Sequence, residues 1–231
     1  MLWLDYGRDF YATQTWSDIP AADGRRIGIS WMSNWLYANQ VPTQSWRSAM
    51  TMPQELVLKA TPDGLRLCHA FIRELEALCQ HQVIAADKTQ ATPGAVFNFD
   101  WFEAHRLQFS LELKDNSTLV LQPMNELEFT FMVQKGQLTL RCQRHGQIGI
   151  AEFDEHFPHD FAVALGANRP LSADLLLDRC SAELLLDGGR YAITNLVFPK
   201  EGPVQHCAAS LRTGEVIIRD FHRHDLAKVT A

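Results

Sequence analysis

Two histidine pairs offer the most direct route to chemistry in this chain. His222 and His224 alternate on one expected strand face, and His156 and His159 bracket Phe157-Pro158, so either pair could present two ring nitrogens to a metal ion. Neither pair has a third ligand at a suitable spacing, and the proline forbids a regular helical His-x-x-His. Both therefore read as surface or tail histidines, and no metal or other cofactor is expected. Asp154, Glu155 and Asp160 read as a solvated loop. Cys68, Cys79, Cys142, Cys180 and Cys207 form an odd set with no Cys-x-x-Cys pair, which fits reduced, mostly buried thiols better than a disulfide framework or a zinc site. No glycine-rich loop leads into a helix, so a phosphate cradle has no support.

The composition bounds what such residues could serve. A chain of 231 residues with 46% hydrophobic and 21% charged side chains can bury one large core or two modest ones. Its net charge of -6 argues against nucleic acid as a partner, since binding a phosphate backbone needs clustered Lys and Arg. The uncharged run from 27 to 46 contains Asn34, Asn39, Gln40, Pro42 and Gln44, so it could not satisfy a bilayer core and no membrane span is expected. Asp5 and Arg8 interrupt the N-terminal stretch where a signal peptide would be apolar, and the chain as written reads as cytoplasmic.

The elements that must position any site are strands. Alternation and short apolar runs between turn residues predominate over spacings of three and four. Expected strands include 26–31, 54–59, 65–70, 106–114, 127–134, 137–143, 171–178, 181–186, 193–198, 205–212 and 215–220. Asp63-Gly64, Lys135-Gly136, Asp187-Gly188-Gly189 and Thr213-Gly214 stand where hairpin turns need positive φ. Their spacing suits a β-sandwich. Only Ile72 to Leu78 combines helix formers with an apolar spacing of three, and it reads as a connection.

Three motif groups then narrow the fold. The first is Asp5-Tyr6-Gly7-Arg8-Asp9-Phe10-Tyr11-Ala12 with Gln14. The second is Arg26-Ile27-Gly28-Ile29-Ser30-Trp31-Met32-Ser33-Asn34-Trp35, and the third is Pro42-Thr43, Trp46-Arg47 and Met52-Pro53-Gln54-Glu55-Leu56. Together they resemble the closing part of the catalytic propeller of glycoside hydrolase family 32, the β-fructofuranosidases: invertases, levanases, inulinases and sucrose-6-phosphate hydrolases. Asp178-Arg179-Cys180-Ser181-Ala182-Glu183-Leu184, Asp187-Gly188-Gly189 and Ile193 to Pro199 resemble a hairpin of that family's C-terminal sandwich, with Cys180 and Ala182 as mild departures. The resemblance implies an all-β chain, the last part of a five-bladed β-propeller followed by a β-sandwich. It places a catalytic-domain remnant at 1–60, a linker at 61–84 and the sandwich at 85–231. Residues 1–60 cut free would expose apolar faces and unpaired edges, whereas the sandwich is expected to fold by itself.

The same resemblance implies hydrolysis of a fructose-containing saccharide with retention, which needs an Asp nucleophile and a Glu acid/base about 5–5.5 Å apart. The family keeps these in Trp-Met-Asn-Asp-Pro-Asn-Gly, Arg-Asp-Pro and Glu-Cys motifs, and none of them occurs in this sequence. No catalytic residue is therefore assigned. What the resemblance leaves is the wall of the active site: Asp9, Tyr11, Trp31 and Trp35 as substrate-binding residues, a ring face stacking on sugar C–H and a carboxylate accepting from hydroxyls. Aromatic residues in strands are more often core than platform, so both readings stand at this level. At the level of the whole chain, one reading is the C-terminal portion of a β-fructosidase, inactive alone and partnered by the missing N-terminal propeller part. The other is a noncatalytic sandwich that binds fructan or stabilises a partner. The choice among sucrose, sucrose 6-phosphate, levan and inulin lies outside these motifs.

Overall fold

A computed structural model describes residues 2–61, 63–200 and 204–228. The first sheet contains β1 (Tyr11–Thr15), β2 (Ile27–Met32), β3 (Ala49–Met50), β4 (Gln54–Thr61) and β5 (Gly64–Phe71), in the order β1-β2-β4-β5 with β3 on β2. β1 to β3 and most of β4 fall in the span 1–60 expected as the propeller remnant, while β5 lies beyond it. A 3-10 turn over Arg73–Leu78 then leads into β6 (Cys79–Ala91), β7 (Gly94–Trp101), β8 (His105–Leu113), β9 (Thr118–Met124), β10 (Leu127–Gln134) and β11 (Gln137–Arg144). After helix α1 (Ala151–His156) come β12 (His159–Ala167), β13 (Leu171–Asp178), β14 (Ser181–Leu186), β15 (Tyr191–Leu196), β16 (Gln205–Thr213) and β17 (Val216–Leu226). These strands form two six-stranded sheets, β15-β14-β13-β8-β17-β6 and β12-β11-β10-β9-β16-β7.

The two sheets face each other across one apolar core, because alternation sends every second side chain inward. Leu107, Phe109, Leu111, Phe129, Phe131, Leu138, Leu140, Leu175, Leu184 and Ile193 are all buried in it. Lys135 and Gly136, at φ of 51° and 70°, close the β10–β11 hairpin in the left-handed pair of conformations that such a two-residue turn requires. The span assigned to the linker holds β5, paired with β4 along its length, and the start of β6; the stretch between those strands is the single 3-10 turn. The carboxylates expected in a solvated loop are instead ordered. Asp154 and Glu155 lie in α1, with Asp154 accepting from the Ile148 and Gly149 amides, and Asp160 is in β12 against Arg141.

Blade and sandwich are joined by more than the connection. The outer face of β13–β15 would be solvent-exposed in an isolated sandwich, yet Leu176, Leu185 and Ala192 on it are buried against Phe71 and Leu75. Leu196 packs with Met32 and Tyr37 of the blade and with Phe153 and Phe157. Residues 5–9 run beside β15, the edge of its sheet, with the Tyr6 amide donating to Ala192 O at 2.7 Å and the Asp9 amide to Thr194 O at 3.2 Å. That closes an otherwise open strand edge. Gly7 and Gly189 mark the closest approaches: a Cβ on either would collide with backbone of Thr194 or His69 respectively.

Candidate functional site

The blade's alternation separates two jobs along β2. Met32 points into the cluster shared with the sandwich, so Trp31, one residue earlier, projects to the other side of the sheet. Tyr11 stands opposite Trp31 in the β1–β2 register, and their rings lie edge to face at 6.0 Å. A turn after β2 brings Trp35 back onto Trp31 at 4.9 Å. The turn is held by Asn34, whose side-chain amide donates to Arg8 O at 3.1 Å while its Oδ1 accepts from the Leu36 amide at 3.0 Å. Tyr11 and Trp35 remain 53% and 66% exposed. Three rings that pack mainly on one another and face outward make a platform suited to the C–H face of a sugar.

Asp9, expected beside these rings as a hydrogen-bond acceptor for hydroxyls, is not on that surface. Its carboxylate is fully buried. It accepts from the Tyr37 hydroxyl at 2.5 Å and from the Leu196 amide at 2.9 Å, and it forms an ion pair with Arg144. Arg144 is itself fully buried: it stacks 3.8 Å over Phe157, and its Nη2 donates to the Tyr37 hydroxyl at 3.0 Å. The cause is electrostatic. An arginine inside the protein demands a counter-charge, and the only way to see that Asp9 meets it is to fold the chain, since 135 residues separate them. A signal existed nonetheless, because Arg144 continues the inward phase of Leu138, Leu140 and Cys142 on β11, where an apolar residue is the norm. Burial and the Asp9 charge push the Tyr37 hydroxyl pKa upward; Arg144, which burial alone would weaken, is held above its usual value by Asp9 and Tyr37.

Two more carboxylates cross the same interface. Asp5 accepts from the Gly7 amide at 2.6 Å, the Thr194 amide at 3.0 Å and the Thr194 hydroxyl at 2.8 Å. Glu183 of β14 reaches the other way, accepting from the Met52 amide at 2.9 Å and the Gln54 side chain at 3.3 Å. Burial raises Asp5 to about 6 and Glu183 to about 8, each acid also feeling a neighbouring carboxylate. Gln54 Oε1 in turn accepts from His69 Nδ1, 2.6 Å away, and burial lowers His69 to about 4. Asp5 and Glu183 are thus occupied with holding blade to sandwich.

The histidine pairs do not converge. His222 hydrogen-bonds Gln82 and lies against His224, His156 ends α1, and His159 stacks on Phe161; among the described residues no three His, Cys, Asp or Glu side chains gather as a metal site. The thiols are all free, with Cys142 and Cys207 buried and pushed up to about 12 by that burial.

Residues 1–69 match the glycosyl hydrolases family 32 N-terminal domain, and residues 75–221 match the glycosyl hydrolases family 32 C terminal. The chain belongs to glycoside hydrolase family 32. A levanase of Bacillus subtilis is 30% identical over 99% of this chain and 35% of its own length, so the chain spans about a third of that relative. An exo-inulinase of Aspergillus awamori has the same fold at a TM-score of 0.78 and 20% identity, covering 98% of this chain and 44% of the exo-inulinase. A fructan 1-exohydrolase IIa of Cichorium intybus, solved in complex with 1-kestose, aligns at a TM-score of 0.73 and 16% identity over 99% of this chain and 50% of that one. The family match divides the chain between β5 and β6. The first sheet is thus the end of the family 32 propeller domain, and the two facing sheets are its C-terminal sandwich.

Proposed function

We propose that this chain forms the closing part of a β-fructofuranosidase, in which Tyr11, Trp31 and Trp35 stack on a fructosyl unit while the nucleophile and acid/base come from propeller sequence that it does not contain. The exposed three-ring cluster on the outward face of the last blade carries this reading. A fructofuranose ring offers C–H faces that rigid aromatic rings recognise at little entropic cost. Retention in family 32 chemistry needs two carboxyls flanking the glycosidic bond, and the described carboxylates nearest the rings by sequence, Asp5 and Asp9, are both buried in the interface. The sandwich serves in this reading as a support for the blade. The free thiols fit a reducing, cytoplasmic setting.

The test is in two parts. Tryptophan fluorescence of the 231-residue chain, titrated with 1-kestose, is expected to shift with wild type and to lose the response in Trp35→Ala. Fructose release from sucrose or levan by the same chain at high concentration is expected to stay at background, and to appear once propeller sequence carrying the Asp-Pro-Asn-Gly and Glu-Cys motifs is supplied. Sucrose hydrolysis by the chain alone would overturn the assignment of its catalytic groups.

A further inference from the structure

We propose that Arg144, a sandwich residue that never reaches the surface, is the positioning residue that fixes the aromatic wall of the blade. The inference rests on the reading of Tyr11, Trp31 and Trp35 as that wall and adds what sets their spacing. Arg144 is anchored on the sandwich side by three hydrogen bonds to two carbonyls: Phe157 O takes Nε at 3.0 Å and Nη2 at 2.6 Å, and Leu196 O takes Nη1 at 3.0 Å. Its remaining donor capacity goes to the blade, Nη1 to Asp9 and Nη2 to Tyr37 at 3.0 Å. Asp9 stands two residues before Tyr11, and Tyr37 two residues after Trp35. One planar guanidinium therefore grips both chain segments that flank Trp31, and the Tyr37–Asp9 hydrogen bond ties those segments to each other. The fork geometry matters, because a lysine could meet Asp9 but not Asp9, Tyr37 and two carbonyls together. Strand pairing holds Tyr11 and Trp31, but Trp35 is mostly exposed and lies in a turn held otherwise by Asn34, so its placement on Trp31 depends on where the segment to Tyr37 is tied.

Trp31 and Trp35, at 4.9 Å, should give an exciton-coupled circular dichroism band, which reports their mutual geometry without any sugar. Trp35→Phe assigns the band. Arg144→Met and Tyr37→Phe are expected to remove or strongly weaken it while the β-sheet signal persists. Arg144→Lys should restore stability relative to Arg144→Met without restoring the band. Glu183→Gln, which weakens the same interface elsewhere, should leave the band intact. In parallel, 1-kestose binding is expected to weaken about tenfold in Tyr37→Phe, equivalent to about 1.4 kcal/mol. Where Arg144→Met fails to fold, Tyr37→Phe decides, since it removes one hydroxyl and keeps the ring. An unchanged band in folded Tyr37→Phe or Arg144→Met overturns the proposal, as does a band lost equally in Glu183→Gln. A wild-type chain blind to 1-kestose whose band still depends on Arg144 and Tyr37 would sink the sugar-wall reading and leave the positioning role standing.

Discussion

Asp9 stands two residues from an exposed aromatic platform and yet answers to a charge 135 residues away. Replacing it with asparagine keeps the shape but leaves the Arg144 guanidinium buried without a counter-charge, and breaking a buried pair in this way costs on the order of 3–5 kcal/mol. Urea unfolding of Asp9→Asn should show that loss, while Trp35→Ala, at a mostly exposed ring, should stay within about 0.5 kcal/mol of wild type. Equal stability of the two variants would contradict the assignment of Asp9 to the interface. Tyr11, Trp31 and Trp35 could be grouped from local motifs, and the structure brings their rings together. The inward phase of Arg144 was readable, but the partners of Arg144, Tyr37 and Glu183 were not, since they lie 107 to 135 residues away.

Among the strands, Glu183 gives the interface a pH dependence. Its pKa of about 8 in the folded chain lies above the ordinary value near 4.3, so the folded state holds a proton that the unfolded state has released. Stability from this group is fully present at low pH and is lost as pH rises through 8. Asp5, at about 6, acts in the same sense at lower pH. His69 and His159, both lowered to about 4 by burial, act in the opposite sense below about pH 6.5, since they resist protonation in the fold. The readout is therefore the difference between the two proteins from pH 7 to 9: wild type should lose roughly 1–1.5 kcal/mol more than Glu183→Gln, since the buried thiols, also raised in the fold, add the same further loss to both; parallel melting curves across that window would refute it. The strands with strict alternation and glycine turns, such as β10 and β11, were readable in advance. β6 was missed because its sequence is polar, β9 because Pro123 interrupts it, and β1 because a bulge between Tyr11 and Gln14 breaks its period.

At the scale of the molecule, the sandwich has a core of its own but not a finished surface. Cut free at Cys79, it would expose Leu176, Leu185, Ala192 and Leu196 together with Glu183 and Arg144, all of them buried in the intact chain. A fragment of residues 79–231 is expected to melt well below the full chain and to associate in gel filtration, in contrast to the independent folding that its strand pattern alone predicts. A monomeric fragment melting with the parent would show that the covered face contributes little. Sequence periodicity identifies the core face of β13–β15, but their other face mixes Leu176, Leu185, Ala192 and Leu196 with Asp174, Glu183 and Thr194. Those scattered apolar residues are the legible trace of a second layer, here the blade.

The hydrogen bonds from residues 5–9 to β15 also set an order of events. A ribosome releases the blade first, while Thr194, Gly189 and Arg144, against which it must close, are still unmade. Its early strands must wait, with Asp9 uncompensated and an edge unpaired, until more than half of the chain has followed. Such long-range closure is slow. The nascent chain is thus most vulnerable in the interval before β15 emerges, and that is the interval in which a chaperone would matter most.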